Sequence, residues 1–333
     1  MTCKAQKLFK RAGALLLILT LLLGMACVHA EEAGEQEEEL SVLPLDFSAG
    51  MPLQRQYFKG NWQYEDPTIS VSITRHTASL TNGNCAYWVA SVKIKHASQL
   101  RTMAANRYDA TGETYGDKIA KRVNAVLAIS GDTYSYTGHG LIIRQGVKFL
   151  DALQGDRDVL LVDEDGDFHV VRMANRGDIG DTINGKKVID SFFFGPALVV
   201  DGKPMWYMEQ KDDMKADAGR QRICIAQVGP LEYKCICCGP PENGSCGMTI
   251  AEFTNLVASL GVQTAYNLDG GYTTKMYFNA ELVNNVSSQD RKITDIIYFA
   301  SALGADSSAA SQYENRNETE TQHENKRRTT QGR

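Results

Sequence analysis

The chain has 333 residues, a formal net charge of −5 at pH 7 and a pI near 5.8. Proteins that bind nucleic acid usually carry clustered basic side chains, and this acidic balance argues against a nucleic-acid partner. Hydrophobic residues make up 43% of the chain, which is enough for a sizeable core.

The N-terminus has the three parts of an export signal: a basic head, an uncharged apolar run over residues 12–28, and the small-residue site Val28-His29-Ala30. The basic residues are Lys4, Lys7, Lys10 and Arg11. Residues 1–30 are therefore predicted to be a signal peptide, with an uncleaved anchor as the alternative. Either way we expect the rest of the chain to be secreted or in the cell envelope, outside the cytoplasmic membrane. It would contact the membrane only through an uncleaved N-terminal segment.

Two polar segments are predicted to lie outside the fold. Residues 31–43 begin with a dense acidic run and indicate a linker, and residues 305–333 are almost without apolar side chains and indicate a disordered tail. Residues 44–304 remain, which is the size of one larger domain.

The first part of this domain is unusually aromatic, with Tyr57, Phe58, Trp62 and Tyr64 within a few residues. These side chains favour packing in a core or lid over a platform for a sugar. Further along, residues 69–75 and 86–95 alternate apolar and polar side chains, which predicts two half-buried strands joined by a turn at residues 81–84.

The rest of the domain indicates many short strands and few helices. A short helix over residues 118–124 leads into an apolar strand at 125–129, and further strands are predicted at 141–144, 159–163, 168–173, 197–200, 222–227 and 265–268. Asp165-Gly166 predicts a hairpin. A second helix begins after Thr249, since Glu252 completes a capping box and Gly261 can end the helix. We therefore expect a single α+β domain with a mixed, strand-rich sheet and a few packed helices.

Cysteine usage agrees with export. Two of the eight cysteines lie in the signal, and the domain carries the other six, Cys85, Cys224, Cys235, Cys237, Cys238 and Cys246. An even number outside the cytosol favours disulfide bonds, whose pairing the sequence leaves open. Zinc and free thiols are the alternatives, and the paired spacing of structural zinc sites is missing. Residues 235–246 are expected to form a disulfide-stapled loop near the cleft.

Two glycine-rich segments place a carboxylate directly after a predicted strand. In the first, Gly131 and Asp132 follow the strand at 125–129. In the second, Asp269 is followed by Gly270 and Gly271 and then by the hydroxyl residues Thr273 and Thr274. The first segment could also be an ordinary turn, and the second could be a hairpin. Arg222 and Arg291 begin or precede strands, where a guanidinium matches phosphate geometry but is also common as a solvated charge.

Taken together and in chain order, these segments resemble the phosphodiester glycosidase family over about residues 125–302. The matching stretches are I-S-G-D-T-Y, G-L-I-I-R-Q-G-V, F-F-F-G-P-A-L-V-V-D-G-K, Q-R-I-C-I-A-Q, G-M-T-I-A-E-F, N-L-D-G-G and R-K-I-T-D. The resemblance implies hydrolysis of a sugar-1-phosphodiester at the bond to the anomeric carbon, with a glycan or sugar phosphodiester as the partner. Exported bacterial members are often named after exopolysaccharide biosynthesis.

The resemblance also implies roles for individual residues. Asp132 and Asp269 would be the catalytic carboxylates. Apart from the resemblance, His139 follows Asp132 by seven residues and could be a proton donor, although a surface or structural histidine is the favoured alternative. The residues predicted to bind substrate or phosphate are Arg222, Arg291, Gly131, Gly270, Gly271, Thr273 and Thr274. No cofactor and no catalytic metal are predicted, although two aspartates beside a phosphate could hold a divalent ion.

Two positions depart from the family pattern. Ser130 stands where the family usually has Asn, and Tyr272 stands where a third glycine is common. Serine lacks the second polar group of the amide, and tyrosine would narrow the approach to the loop or offer a stacking face. The alternative is therefore a non-catalytic carbohydrate-binding or envelope protein that kept the fold.

Overall fold

The structure is a computed structural model and describes residues 41–108, 112–132, 138–205, 217–240, 246–284 and 291–309. The predicted signal at 1–30, the acidic run at 31–39 and the tail beyond residue 309 lie outside the described residues.

The described residues form two α-helices and 20 short strands. The helices are α1 (Gly116–Arg122) and α2 (Ile250–Ser259). The strands of the first half are β1 (Phe58–Gly60), β2 (Gln63–Asp66), β3 (Ile69–Leu80), β4 (Gly83–Ile94), β5 (Leu100–Ala104), β6 (Ala125–Ser130), β7 (Gly140–Arg144), β8 (Val147–Ala152), β9 (Val159–Asp163) and β10 (Phe168–Val171). Those of the second half are β11 (Thr182–Ile183), β12 (Lys186–Phe192), β13 (Ala197–Val200), β14 (Lys203–Pro204), β15 (Ile223–Gly229), β16 (Glu232–Cys238), β17 (Thr264–Asn267), β18 (Met276–Phe278), β19 (Glu281–Leu282) and β20 (Asp295–Ala300).

The strands form four sheets rather than one. The largest has the order β1-β2-β3-β4-β16-β15-β17-β13-β14, and a five-stranded sheet has the order β19-β18-β6-β20-β5. A four-stranded sheet, β10-β9-β12-β11, and the β7–β8 hairpin complete the set. Every pairing between these described strands is antiparallel, so the expected mixed sheet is wrong. The class is mainly β rather than a balanced α+β.

The main core lies between the nine-stranded and five-stranded sheets. Trp88, Ile225 and Tyr266 from the larger sheet pack in one cluster with Ile129 and Ile297 from the smaller one. Helix α2 covers the opposite face of the larger sheet, and α1 covers the opposite face of the smaller one. Each sheet thus buries both faces, and the ends of the central strands are held between layers.

The two strongest sequence signals are confirmed. The alternating segments form the β3–β4 hairpin, with Leu80 paired to Gly83 across the predicted turn. Thr249 caps α2, where its hydroxyl accepts the Glu252 N–H and the Glu252 carboxylate accepts the Thr249 N–H. A capping box of this kind typically contributes about 1 kcal/mol. It fixes where α2 begins, and the face carrying Phe253 and Val257 then packs on the sheet.

The cysteine-rich stretch differs from its prediction. Cys235, Cys237 and Cys238 lie on β16, between β4 and β15, rather than in a loop. The crowded cysteines indicated a disulfide-stapled loop. A buried thiol, however, packs as a small apolar side chain and can therefore lie on a central strand. Alternation along the strand sends Cys235 and Cys237 to the main core and Cys238 to the α2 side, which separates their sulfur atoms. Residues 241–245 of the predicted loop lie outside the described residues.

The borders of the fold also differ from the predicted segments. Val42 and Leu43, assigned to the linker, are buried, and the Leu43 N–H donates to the Ser98 hydroxyl at 3.0 Å. At the other end, Ser307–Ala309 form a short 3₁₀ turn within the predicted tail. In the part of the chain that the structure describes, the helices are too short and too polar to span a membrane.

Candidate active site

The end of β6 carries the first predicted carboxylate. The Gly131 N–H donates to the Asp295 carbonyl at 3.1 Å, and the Asp132 N–H donates to Asp295 Oδ1 at 2.8 Å. A side chain on Gly131 would lie 2.4 Å from the same Oδ1 atom. A glycine after a strand can adopt a backbone angle that other residues avoid, but Gly131 does not have a positive φ. It is required because the backbone passes directly against the Asp295 carboxylate.

Asp132 is held on every side by hydrogen bonds. Its Oδ2 accepts the Phe193 N–H at 2.8 Å, and its carbonyl accepts the Thr294 hydroxyl at 2.6 Å. The residue is only 2% exposed. A carboxylate tied to the backbone in this way has a fixed orientation, which is what a catalytic group requires.

A buried arginine pairs with this aspartate cluster. Arg144 ends β7 and has no exposed surface, and its Nη2 lies 3.2 Å from Asp295 Oδ2 and 4.0 Å from Asp132 Oδ2. Its Nη1 donates to the carbonyls of Ile143 and Ser191, and its guanidinium carbon lies 4.6 Å from the centre of the Phe192 ring. Burial by itself would lower the pKa of Arg144, but the nearby carboxylates raise it above its ordinary value. The group therefore stays charged inside the protein.

The second carboxylate lies beside the first. β17 ends at Asn267, and the Asp269 N–H then reaches the Gly131 carbonyl at 3.4 Å. Gly270 packs so closely that a side chain there would lie 2.8 Å from the Gln221 carbonyl, and Gly271 has a φ of +63°, in the left-handed region that favours glycine. The segment is thus a tight 3₁₀ turn between two sheets and not a hairpin.

The two threonines after the glycines are buried in this turn. The Thr273 hydroxyl donates to the Gly270 carbonyl at 2.6 Å, which closes the turn. Thr274 is fully buried, its carbonyl accepts from Asn284 Nδ2, and its hydroxyl has no hydrogen-bond partner. The Thr274 hydroxyl is buried, so the structure does not bring it to a surface that a substrate could reach.

The electrostatics bring Asp132, Asp269 and Asp295 together as one set. Burial raises the pKa of Asp269 to about 7, the negative charge of Asp132 adds to the rise, and the positive charge of Arg291 opposes it. Burial also raises the pKa of Asp295 to about 6, against the lowering effect of Arg144. With a pKa near 7, the Asp269 carboxyl group can gain or lose its proton close to neutral pH.

The two predicted phosphate-binding arginines have different surroundings. Arg291 is exposed and lies close enough to Asp269 to lower its pKa. Arg222 is 5% exposed, and its guanidinium donates to the carbonyls of Met248 and Ala218. Its side chain supports the start of α2 and the segment before β15. The structure thus brings Arg291 to the carboxylates and directs Arg222 to the main chain.

His139 contacts Phe193, the residue whose backbone N–H donates to Asp132. Its ring is edge-on to Phe193, whose N–H holds Asp132, with the ring centres 5.6 Å apart. Its Nε2 is 3.6 Å from Asp156 Oδ2. His139 therefore contacts Phe193 and Asp156.

The two departures from the family pattern lie at the edge of this site. The Ser130 hydroxyl accepts the Lys275 N–H at 3.3 Å, so it joins β6 to the chain before β18. Tyr272 is 39% exposed, so its ring is available at the surface beside the Asp269 turn.

Arg144 and Asp295 were not identified as site residues from the sequence. Each is a charged residue at the end of an otherwise apolar strand, in G-L-I-I-R and I-T-D-I-I-Y-F. A charge at such a position is rarely buried unless it is paired. One apolar strand carries a positive charge and the other a negative charge, and this is the sequence signal from which the pair could have been predicted.

Nothing in the described residues forms a metal site by its geometry: no group of three or more His, Cys, Asp or Glu side chains is arranged to hold an ion. The carboxylates are instead balanced by Arg144 and Arg291.

Sequence and structure comparisons give concordant results. Residues 123–300, more than half of the chain, match the phosphodiester glycosidase family. An uncharacterised SPbeta prophage-derived protein, YomE, of Bacillus subtilis is 27% identical over 233 residues, covering 63% of this chain and 36% of the relative. This chain therefore spans about a third of the length of that relative.

Two solved structures share the fold. The catalytic domain of zebrafish N-acetylglucosamine-1-phosphodiester α-N-acetylglucosaminidase, auto-inhibited by its pro-peptide, aligns with a TM-score of 0.57 at 14% identity, over 71% of this chain and 84% of that one. A hypothetical protein from Synechocystis aligns with a TM-score of 0.55 at 15% identity, over 69% of this chain and 62% of that one.

Proposed function

We propose that this chain, which belongs to the phosphodiester glycosidase family, hydrolyses a sugar-1-phosphodiester at the bond between the anomeric carbon and oxygen. The observation that carries the proposal is the juxtaposition of Asp132 and Asp269, with the pKa of Asp269 raised to about 7. A carboxylate whose pKa lies near the working pH is suited to exchange protons with water.

The two carboxylates are suited to different roles. Asp132 is fixed by the Phe193 N–H and faces the charged Arg144, so it is suited to remain an anion that stabilises positive charge at the anomeric carbon. Asp269 keeps some exposure, so it can accept a proton from an attacking water molecule. The water oxygen bonds to the anomeric carbon, and the electron pair of the broken C–O bond leaves with the phosphate. A phosphomonoester is released.

Arg291 is the group suited to the phosphate. It is exposed, cationic and near Asp269, and a guanidinium can donate two parallel hydrogen bonds to phosphate oxygens. A phosphate leaving group already carries negative charge, so a strong general acid is less necessary than in ordinary glycoside cleavage. The proposal therefore needs no proton from His139, which contacts Phe193.

The test is release of reducing sugar and phosphomonoester from a panel of sugar-1-phosphodiesters. Wild type is compared with Asp132→Asn and Asp269→Asn, and Asp201→Asn at an exposed turn is the matched control. We expect turnover in wild type and control and a loss of about 100-fold or more in each site variant. No turnover by wild type on the whole panel, with saturable binding of one compound, would favour the carbohydrate-binding alternative.

Export and disulfide bonding belong to the same proposal. The basic head and apolar run of residues 1–30 support a location outside the cytoplasmic membrane. The thiols of Cys85 and Cys238 are close enough to hydrogen-bond, which makes them the first pair to expect if the exterior oxidises the protein. Peptide mapping of the secreted protein with and without reductant checks both points. Protein found only in the cytoplasm would contradict export, and fully reduced thiols would contradict disulfide bonding.

A further inference from the structure

A cavity with an aromatic floor lies away from the carboxylates, between two tight turns. It has a volume of about 430 Å³ and is lined by Phe58, Trp62 and Phe278 together with the polar side chains of Asn61, Asn279 and Glu281. We call this cavity the aromatic cleft. Trp62 packs against the core, as the sequence indicated, but it is only half-buried, and Asn61, Asn279 and Glu281 are exposed. Both aromatic and polar surfaces are therefore available to a ligand.

The two walls of the aromatic cleft are held in place by backbone hydrogen bonds. The Ile73 N–H donates to the Trp62 carbonyl at 3.0 Å, which fixes the β1–β2 turn to β3. On the other side the Asn279 N–H donates to the Val126 carbonyl at 3.0 Å. A cleft whose walls are already ordered loses little conformational entropy when it binds a ligand.

The second wall is a strained turn. Asn279 and Ala280 have φ angles of 50° and 62°, the left-handed conformation of the tight two-residue turn between β18 and β19. Asn tolerates this conformation, but Ala pays a steric cost for it. This steric cost lies in the same turn whose residues Asn279 and Glu281 border the cleft.

A second cavity borders the same turn. It has a volume of about 590 Å³, shares Asn279 and Glu281 with the first, and reaches Leu53, Lys121 and Asn124 beside α1. We call the two cavities together the distal groove, and their combined volume is enough for more than one sugar ring. The charged side chains that line it are Asp117, Glu281 and Lys121. With two acids and one base, this lining does not suit a phosphate or another polyanion.

The distal groove is separate from the active site. Ala125 begins β6 and lines the groove, whereas Asp132 lies just beyond the other end of the same strand. At about 3.3 Å per residue, the two ends are roughly 20 Å apart. A ligand in the groove therefore does not occupy the position between the carboxylates.

We propose that the distal groove binds a neutral oligosaccharide chain. An aromatic ring packs against the apolar C–H face of a pyranose, and the amides of Asn61 and Asn279 and the carboxylate of Glu281 can bond its hydroxyl groups. The combined volume of the two cavities has room for more than one ring, which suits a chain of sugars. Binding there does not depend on the proposed hydrolysis. If both are correct, the groove raises the local concentration of a polymeric substrate.

The proposal is tested by isothermal titration of the full chain, with Asp269→Asn to prevent turnover. The probes are the neutral hexasaccharides of β-1,4-linked N-acetylglucosamine, β-1,4-linked glucose and α-1,4-linked glucose, with hyaluronan fragments as the polyanion. We expect saturable binding of at least one neutral probe and none of hyaluronan. Trp62→Ala should weaken that binding by about tenfold or more. Phe47→Ala, at an exposed aromatic outside the groove, is the matched control and should not.

Trp62 also packs against the core, so its variant could be unstable. Asn61→Ala and Glu281→Gln change exposed side chains of the groove and keep the test valid. We expect each to weaken binding several-fold with an unchanged circular dichroism spectrum. Absence of binding by all neutral probes, preference for hyaluronan, or equal affinity of wild type, Asn61→Ala and Glu281→Gln would each overturn the proposal. Titration measures binding and not turnover. Failure of the hydrolase assay would therefore not change the result of the binding test.

Discussion

The carboxylate of Asp295 positions Asp132: its Oδ1 accepts the Asp132 N–H at 2.8 Å, and its Oδ2 lies 3.2 Å from Arg144 Nη2. One side chain thus joins the loop after β6 to the buried cation. Asp295→Leu should remove both contacts and leave an N–H and a guanidinium buried without this partner. Asp295→Asn should keep an acceptor for the N–H.

We expect Asp295→Leu to lower the free energy of unfolding by about 3 kcal/mol or more, and Asp295→Asn to lower it less. Urea denaturation at pH 7 measures both. Equal stability of the Leu and Asn variants would show that the two contacts do not hold the loop.

The raised pKa values of Asp269 and Asp295 predict how stability depends on pH. Both folded values, about 7 and about 6, lie above the ordinary value near 4, so the folded protein binds more protons than the unfolded chain between these limits. The free energy of unfolding should therefore decrease as the pH rises from about 4 to about 7.

Asp269→Asn removes one of the two titrating groups and should flatten this decrease. Urea denaturation of wild type and variant at pH 4.5, 6 and 8 tests it. The variant should gain stability relative to wild type as the pH rises. A constant difference between the two proteins across that range would contradict the raised pKa.

Arg291 is predicted to act on both substrate and Asp269. Arg291→Gln removes an exposed cation, so the fold should be unaffected, and KM for a sugar-1-phosphodiester should rise by about tenfold. Because the Arg291 charge lowers the pKa of Asp269, the pH at which kcat/KM reaches half its maximum should move upward. Lys292→Gln, at the neighbouring exposed cation, is the matched control. Similar effects of Arg291→Gln and Lys292→Gln would show that the loss of any nearby positive charge causes the change, and not the loss of a specific contact of Arg291.

Gly131→Ala tests the close approach of two segments. The added carbon would lie 2.4 Å from Asp295 Oδ1, so the Asp132 loop or Asp295 must move. A displacement of about 1 Å can reduce turnover about 100-fold. Gly229→Ala provides the control, since a side chain there would have no neighbour within 4 Å. Activity assays on both variants make the comparison, and full activity of Gly131→Ala would show that the approach is not needed.

Much of the fold and the two carboxylates could be predicted from sequence, because local signals encode them. The alternation in β3 and β4, the capping box at Thr249 and the glycines beside Asp132 and Asp269 are all readable along the chain. What the sequence did not indicate depends on contacts between distant segments. Arg144 and Asp295 are 151 positions apart and meet only because the last residue of β7 lies beside the first residue of β20. The burial of β16 and its cysteines likewise depends on its neighbours β4 and β15.

The most direct test of the central claim is hydrolysis of a sugar-1-phosphodiester in water enriched in ¹⁸O, followed by mass spectrometry of the phosphomonoester. Attack of water at the anomeric carbon leaves the original bridging oxygen on the phosphate, so the account predicts a phosphomonoester without label. The label should be absent in wild type, and no product should form with Asp269→Asn above background. Label in the phosphomonoester would mean cleavage of the P–O bond and would contradict the proposed glycosidase reaction.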